Sequence, residues 1–157
     1  MQRNKQIGFI VEDLTSSQLS FNLIKNLNDF LEDSDIDCVV FFENAGSPVV
    51  NPNFSIMSIN EIWNFDGDLI ATSMSTALRL SKTFSPNKKF YYVWDLEWLR
   101  RHGRTFEYNV QAFRQNSCEL ISRSLEHSKA IENYCNKPVK YVVEDFNIKK
   151  IMEIVNE

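Results

Sequence analysis

The sequence predicts an α/β fold, a Rossmann-like three-layer sandwich with a mostly parallel central sheet. Short, unbroken apolar runs recur along the chain, and such runs are typical of strands buried on both faces of a sheet. Segments with helical spacing of apolar residues lie between most of these runs. This alternation is typical of right-handed crossovers between parallel strands. The 157 residues are enough for one domain, so we expect residues 1–157 to form a single Rossmann-like domain.

Composition excludes several classes of protein. Hydrophobic residues make up 43% of the chain and charged residues 24%, as in soluble globular proteins. The net charge of −4 argues against nucleic-acid binding, and four glycines argue against a glycine-built phosphate loop. The three cysteines form no CxxC motif, so we expect free thiols, with Cys38 and Cys118 buried beside apolar runs, and no metal or cofactor. The opening MQRNKQ and the absence of an 18-residue apolar run predict a cytoplasmic protein without signal peptide or membrane contact.

The elements follow in order along the chain. Strands are expected at 6–11, 36–42, 55–62, 68–72, 88–95, 119–122 and 139–143. The run at 88–95 (KKFYYVWD) is the most aromatic of them and ends in an acidic segment. Turns are expected at 66–67 and 85–87, and a helical turn or loop at 97–103.

Helices are expected after four capping residues, and a further helix at 107–115. The four predicted N-caps are Thr15, Ser73, Ser124 and Asn147. For the first helix, Thr15 and Gln18 form a capping-box pattern, and Leu14 with Leu19 can staple its start. The helix after Ser124 should bury an apolar stripe. That stripe consists of Leu125, Ala130, Ile131 and Tyr134.

Acidic residues lie at the ends of four of the seven predicted strands. Ligands of open α/β sheets bind beyond the carboxyl ends of strands, and carboxylates there repel phosphate while accepting hydrogen bonds from hydroxyls. The pattern therefore favours a sugar or polyol ligand over a dinucleotide. The candidate ligand-binding residues are Glu12, Asp13, Thr72, Ser73, Asp95 and Glu97. A structural explanation stays open, because acidic and hydroxyl side chains are also favoured at helix N-termini.

Other patterns give weaker signals. Asp95 and Glu97 alone are too few ligands for a divalent metal. Neither His102 nor His127 is accompanied by a nucleophile motif, and we expect His127 at the surface. No catalytic residue is identified. A basic segment consists of Arg100, Arg101, His102 and Arg104, and a solvated loop explains it better than an acidic partner does.

Two segments carry a family resemblance. Residues 71–80 (ATSMSTALRL) and 88–98 (KKFYYVWDLEW) resemble the N-terminal half of bacterial and phage glycosyltransferases with the two-Rossmann GT-B fold. Residues 120–134 and 139–147 resemble the closing helix-and-strand units of that half. The resemblance implies a domain that binds a glycan or sugar acceptor. It also implies that the nucleotide-sugar donor half is missing, so that transfer would need a second polypeptide.

The expected function is therefore that of a glycosyltransferase-like domain that binds a hydroxylated acceptor and is not catalytic alone. One alternative is an interaction or structural protein that retains the fold without an active site. In that case a homodimer could cover Trp63, Trp94 and Trp98. Another is a small hydrolase or nucleotide-binding enzyme of flavodoxin-like fold.

Overall fold

Seven parallel strands form one sheet in a computed structural model that describes residues 5–84 and 87–157. The predicted α/β three-layer class is confirmed, and every strand pairing is parallel. The strands are β1 (Gln6–Val11), β2 (Asp37–Phe42), β3 (Ser55–Ser58), β4 (Asp68–Ala71), β5 (Lys89–Val93), β6 (Glu119–Ser122) and β7 (Tyr141–Val142). The start of the MQRNKQ segment (residues 1–4) and Ser85–Pro86 of the predicted turn lie outside the described residues.

The strand order is β3-β2-β1-β4-β5-β6-β7. Its first six positions reproduce the Rossmann order 3-2-1-4-5-6. The flavodoxin-like fold has the order 2-1-3-4-5, which β2-β1-β4-β5-β6 also follow when the four-residue edge strand β3 is set aside, so that alternative stays a prediction. From β1 the chain adds β2 and β3 on one side and then β4 to β7 on the other, so the strand order switches between β1 and β4, which pair directly. Ligand sites of open α/β sheets lie beyond the carboxyl ends of the strands at this switch point.

Helices cover both faces of the sheet. They are α1 (Gln18–Glu32), α2 (Met74–Ser81), α3 (Gly103–Gln115), α4 (Leu125–Cys135) and α5 (Ile148–Asn156). Buried residues of α2, α3 and α4 pack on one face, and those of α1 and α5 pack on the other. Successive side chains of β5 point to opposite faces of the sheet. Tyr91 packs in the core beneath α2, α3 and α4, and Tyr92 packs in the core beneath α1 and α5.

The start of α1 differs from the prediction. Ser17, not Thr15, is the N-cap, and its Oγ accepts a hydrogen bond from the backbone N–H of Ser20 at 3.0 Å. The predicted cap is engaged elsewhere, because Asp13 Oδ1 accepts from the N–H of Thr15 at 3.0 Å and from its hydroxyl at 2.7 Å. This local turn holds Thr15 outside the helix. The caps at Ser73, Ser124 and Asn147 are confirmed.

Other element boundaries also differ from prediction. The strand predicted at 55–62 ends at Ser58, whose Oγ accepts from the N–H of Asn60 and opens a 3₁₀ turn, Ile59–Asn64. The last strand is shorter because the N–H of Val139 donates to a Glu132 carboxylate oxygen. Helix α3 begins earlier than predicted, at Gly103, whose φ of 57° is a left-handed value that glycine adopts readily. A 3₁₀ turn at Glu97–Arg100 confirms the helical turn expected there.

Three aromatic or aliphatic residues have a different exposure from the one expected. Leu125 and Tyr134 are exposed, because α4 turns Ser128, Ile131 and Cys135 toward the sheet. Trp98 is fully buried, with its ring 4.7 Å from that of Phe113, so a partner subunit cannot cover it. The expected burial of Cys38 and Cys118 is confirmed, and Cys135, for which burial was not predicted, is buried as well.

Candidate functional site

A cleft of about 270 Å³ lies at the carboxyl ends of β1, β4 and β5, across the switch point. All six residues that the sequence suggested as ligand-binding line it: Glu12, Asp13, Thr72, Ser73, Asp95 and Glu97. The start of α1, together with Trp94 and Arg100, completes the wall. The acidic ends of β1 and β5 therefore meet in one open crevice, whereas Glu43 after β2 and Glu144 after β7 do not line it.

The Glu97 carboxylate lies against the N-terminus of α2. Its two carboxylate oxygens lie 3.2 and 3.3 Å from the backbone nitrogen of Met74, which donates to them. Burial raises the pKa of Glu97, and the nearby carboxylates of Glu12 and Asp95 raise it further. The hydrogen bond from Met74 acts in the opposite direction. The carboxylate is thus partly desolvated and only partly compensated.

The two hydroxyl residues of the cleft have structural partners. Thr72 Oγ1 donates to the carbonyl oxygen of Ile10 at 2.8 Å, which ties β4 to β1 at the switch point. Ser73 caps α2 by accepting from the N–H of Thr76 at 3.2 Å, as part of a capping box. The capping explanation for this hydroxyl-rich turn is therefore confirmed. Both oxygens retain acceptor capacity, but their main role is to shape the cleft.

The remaining carboxylates differ in how they are held. Asp13 is tied to Thr15, and Asp95 forms an ion pair with Arg100. The side chain of Glu12 is exposed and has no hydrogen-bond or ion-pair partner among the described residues. Four carboxylates thus share the cleft with one arginine, so the cleft carries an excess of negative charge.

Sequence reasoning missed an aromatic–cation pair beside the cleft. The Cζ atom of Arg123 lies 3.9 Å from the centroid of the Trp94 ring, and its Nη1 donates to the Trp94 carbonyl oxygen at 3.3 Å. Trp94 follows β5 and Arg123 follows β6, which are neighbours in the sheet. Their positions after strands were a usable signal, but their adjacency depends on strand order.

The two histidines lie in different environments. His127, expected at the surface, is half-buried, and its Nδ1 is buried without a hydrogen-bond partner among the described residues. Burial lowers the pKa of His127, and the positive charge of Arg123 lowers it further. His102 is exposed and makes no capping bond at the start of α3.

Among residues 5–84 and 87–157, no group of three or more His, Cys, Asp or Glu side chains is arranged to hold a metal ion. None of the helices in this part of the chain is long and apolar enough to cross a membrane. Fold and cleft together define a Rossmann-like α/β domain with an open acidic crevice at its switch point. Comparisons with protein-family models, with curated proteins and with solved structures found no match to this chain.

Proposed function

We propose that the cleft binds a sugar or a related polyhydroxylated acceptor, and that the chain acts as the acceptor-side domain of a glycosyltransferase-like system. One observation carries the proposal: four carboxylates converge at the switch point of a Rossmann-like sheet. Ionised carboxylates accept hydrogen bonds and donate none, so they suit ligands rich in O–H donors.

Electrostatics argue against a nucleotide in this cleft. Phosphate in such folds binds the free N–H groups at a helix N-terminus. Here the Glu97 carboxylate already accepts from the first N–H of α2. The β1–α1 connection, where a dinucleotide pyrophosphate would lie, carries Glu12 and Asp13 in place of glycines. Both features disfavour an anionic diphosphate and favour a neutral hydroxylated ligand.

Size and location support a small ligand unit. Pockets for drug-sized ligands span roughly 300–1,000 Å³. The cleft, at about 270 Å³, lies just below this range and matches one sugar unit better than an extended cofactor. The segments that resemble GT-B acceptor halves, 71–80 and 88–98, include the last residue of β4, most of α2 and all of β5, which border the cleft. A nucleotide-sugar donor would then bind outside this cleft, because the cleft repels its diphosphate.

Nuclear magnetic resonance titration tests the proposal. Backbone amide shifts would be followed while neutral disaccharides of glucose, galactose and mannose are added. We expect shifts in residues of the cleft, and a loss of affinity of about tenfold in Glu12→Gln, since one charged hydrogen bond contributes about 1.5–3 kcal/mol. Glu153→Gln is the matched control, because Glu153 is an exposed glutamate of α5 on the far side of the sheet from α2. Failure of every sugar to shift the cleft amides would contradict the proposal.

A second candidate is an interaction protein that forms a homodimer. One observation favours it: Trp63 is 58% exposed and Phe84 is 93% exposed, with their rings 6.4 Å apart. An exposed aromatic pair of this kind is typical of an association surface. Light scattering coupled to size exclusion would distinguish the two states. A monomer at high concentration, unchanged by Trp63→Ser, would eliminate this candidate.

A further inference from the structure

A second cavity continues the acidic cleft toward β6 and β7. The two cavities share Ser17, Gln18 and Trp94, so a ligand longer than one unit can extend from one into the other. The second cavity, which we call the distal subsite, is bordered by Arg123 and Asp145. Its charge is balanced, in contrast to the carboxylate excess of the cleft.

Arg123 is held in place but not electrostatically satisfied. Its guanidinium stacks on the Trp94 ring and donates through Nη1 to the Trp94 carbonyl oxygen. No carboxylate forms an ion pair with Arg123 in the described part of the chain. A guanidinium has five N–H donors in a planar fork that matches a carboxylate. The stack therefore presents a fixed cation with unused donors to the distal subsite.

Asp145 is fixed on the same cavity by an unusual turn. Asp145 and Phe146 both have left-handed φ values, 52° and 53°, and such a value is rare for a bulky residue. The turn is anchored by Tyr92, whose hydroxyl donates to the Val143 carbonyl at 2.5 Å and accepts from the N–H of Phe146 at 3.2 Å. Packing of the Tyr92 and Phe146 rings, with centroids 4.3 Å apart, adds to the anchor. The anchored backbone thus places the exposed Asp145 side chain at the border of the distal subsite, where its carboxylate can accept from a ligand hydroxyl.

We propose that the distal subsite takes an acidic sugar unit, such as a uronic acid, joined to the unit bound in the cleft. The sugar carboxylate would pair with the unused donors of Arg123, and a neighbouring hydroxyl would donate to Asp145. This inference rests on the proposed sugar binding and specifies its substrate class. Acidic units are placed away from the four cleft carboxylates, which would repel them.

Matched pairs of disaccharides test this inference. Each neutral dimer of glucose, galactose or mannose would be compared with mixed dimers in which one of the two units is replaced by the corresponding uronic acid, using calorimetry and amide shifts. We expect at least one acidic dimer to bind about tenfold more tightly than its neutral counterpart, as one charge-assisted contact predicts. Both Arg123→Gln and Arg123→Lys should abolish this preference, because lysine keeps the charge but lacks the planar fork. Arg101→Gln, at an exposed arginine, should preserve it.

The outcomes separate this inference from the proposed function. Neutral dimers that bind in the cleft with the same affinity as acidic ones would overturn the distal subsite and leave the proposed function standing. Acidic dimers that shift only amides around Trp94, Arg123 and Asp145 would support the subsite and contradict the cleft as a sugar site. Binding of no dimer would overturn both. The thermal unfolding midpoint of each Arg123 variant should equal that of the wild type. A lost preference for acidic dimers then reflects the missing contact and not a loss of folding.

Discussion

Two neighbouring tyrosines of β5 allow a controlled test of how the carboxyl edge of the sheet is held together. Tyr91 and Tyr92 are both fully buried, on opposite faces of the sheet. The Tyr92 hydroxyl donates to Val143 and accepts from Phe146, whereas the Tyr91 hydroxyl has no hydrogen-bond partner among the described residues. Replacing each by phenylalanine removes one oxygen atom in both cases. Only the replacement of Tyr92 breaks hydrogen bonds.

The expected magnitudes follow from these contacts. Tyr92→Phe leaves a buried carbonyl and a buried N–H without their partner, at about 1–2 kcal/mol each, so we expect a total loss of about 2–4 kcal/mol. This is a large share of the roughly 5–15 kcal/mol typical of a domain. Tyr91→Phe removes a hydroxyl that is desolvated without compensation, so we expect no loss of stability or a small gain.

Urea unfolding followed by circular dichroism measures both variants. With a urea dependence of about 1–3 kcal/mol per molar, the Tyr92→Phe midpoint should fall by about 1–2 M. Tyr92→Phe should also alter the turn that holds Asp145, which weakens binding in the distal subsite. Equal losses for the two variants would refute the assignment of the hydrogen bonds. So would a Tyr92→Phe midpoint within error of the wild type.

The loss of stability at alkaline pH gives an independent check on the burial of the Tyr92 hydroxyl. Burial raises the pKa of Tyr92 to about 12, so the folded state keeps a proton that the unfolded state releases near pH 10. Unfolding is therefore favoured as the pH rises, and the contribution of Tyr92 falls by up to about 1.4 kcal/mol per pH unit between these values. Tyr92→Phe lacks this group and should lose stability less steeply over the same range.

Two further variants test the core and the cleft. Gly8→Ala should destabilise the fold by about 1–3 kcal/mol in urea unfolding, because an added Cβ would lie 2.6 Å from Leu69 Cδ2 and 2.9 Å from Phe41; a neutral result would contradict the tight packing. Glu97→Gln should raise the free energy of unfolding at pH 7, because the raised pKa of Glu97 makes its ionised form costly in the folded state. This gain should shrink toward pH 4, where the carboxyl is protonated in both states, and a gain independent of pH would contradict the reasoning.

Local patterns predicted most of the secondary structure. Apolar runs marked most of the strands, because a strand buried on both faces needs mainly apolar residues, whereas the edge strand β3 was predicted from imperfect alternation. Caps at Ser73, Ser124 and Asn147 were predictable, since each depends on a side chain and a backbone N–H three residues away. The cap at Thr15 failed for a reason that is also local: the Asp13 carboxylate accepts from the Thr15 N–H and hydroxyl and so holds Thr15 in a turn before the helix.

Parts of the site needed the three-dimensional arrangement. That Glu97 lies against α2 follows from β4 and β5 being neighbours, although 23 residues separate it from Met74. The Trp94–Arg123 stack likewise depends on the pairing of β5 with β6. Trp98 was expected at a surface, yet its ring packs on Phe113, because the 3₁₀ turn after β5 directs it inward. Residue types give no information on such distant contacts.

The sequence by itself determined the fold class, the polarity of the strand ends and the acidic character of the rim. These properties depend on neighbours in the chain, where hydrophobic period and capping chemistry act over a few residues. Tertiary structure alone decided that β1 lies beside β4, and hence that the carboxylates of Glu12 and Glu97 meet in one cleft. The physical reason is that strand order results from the packing of whole helices and strands, which contacts far apart in the chain determine.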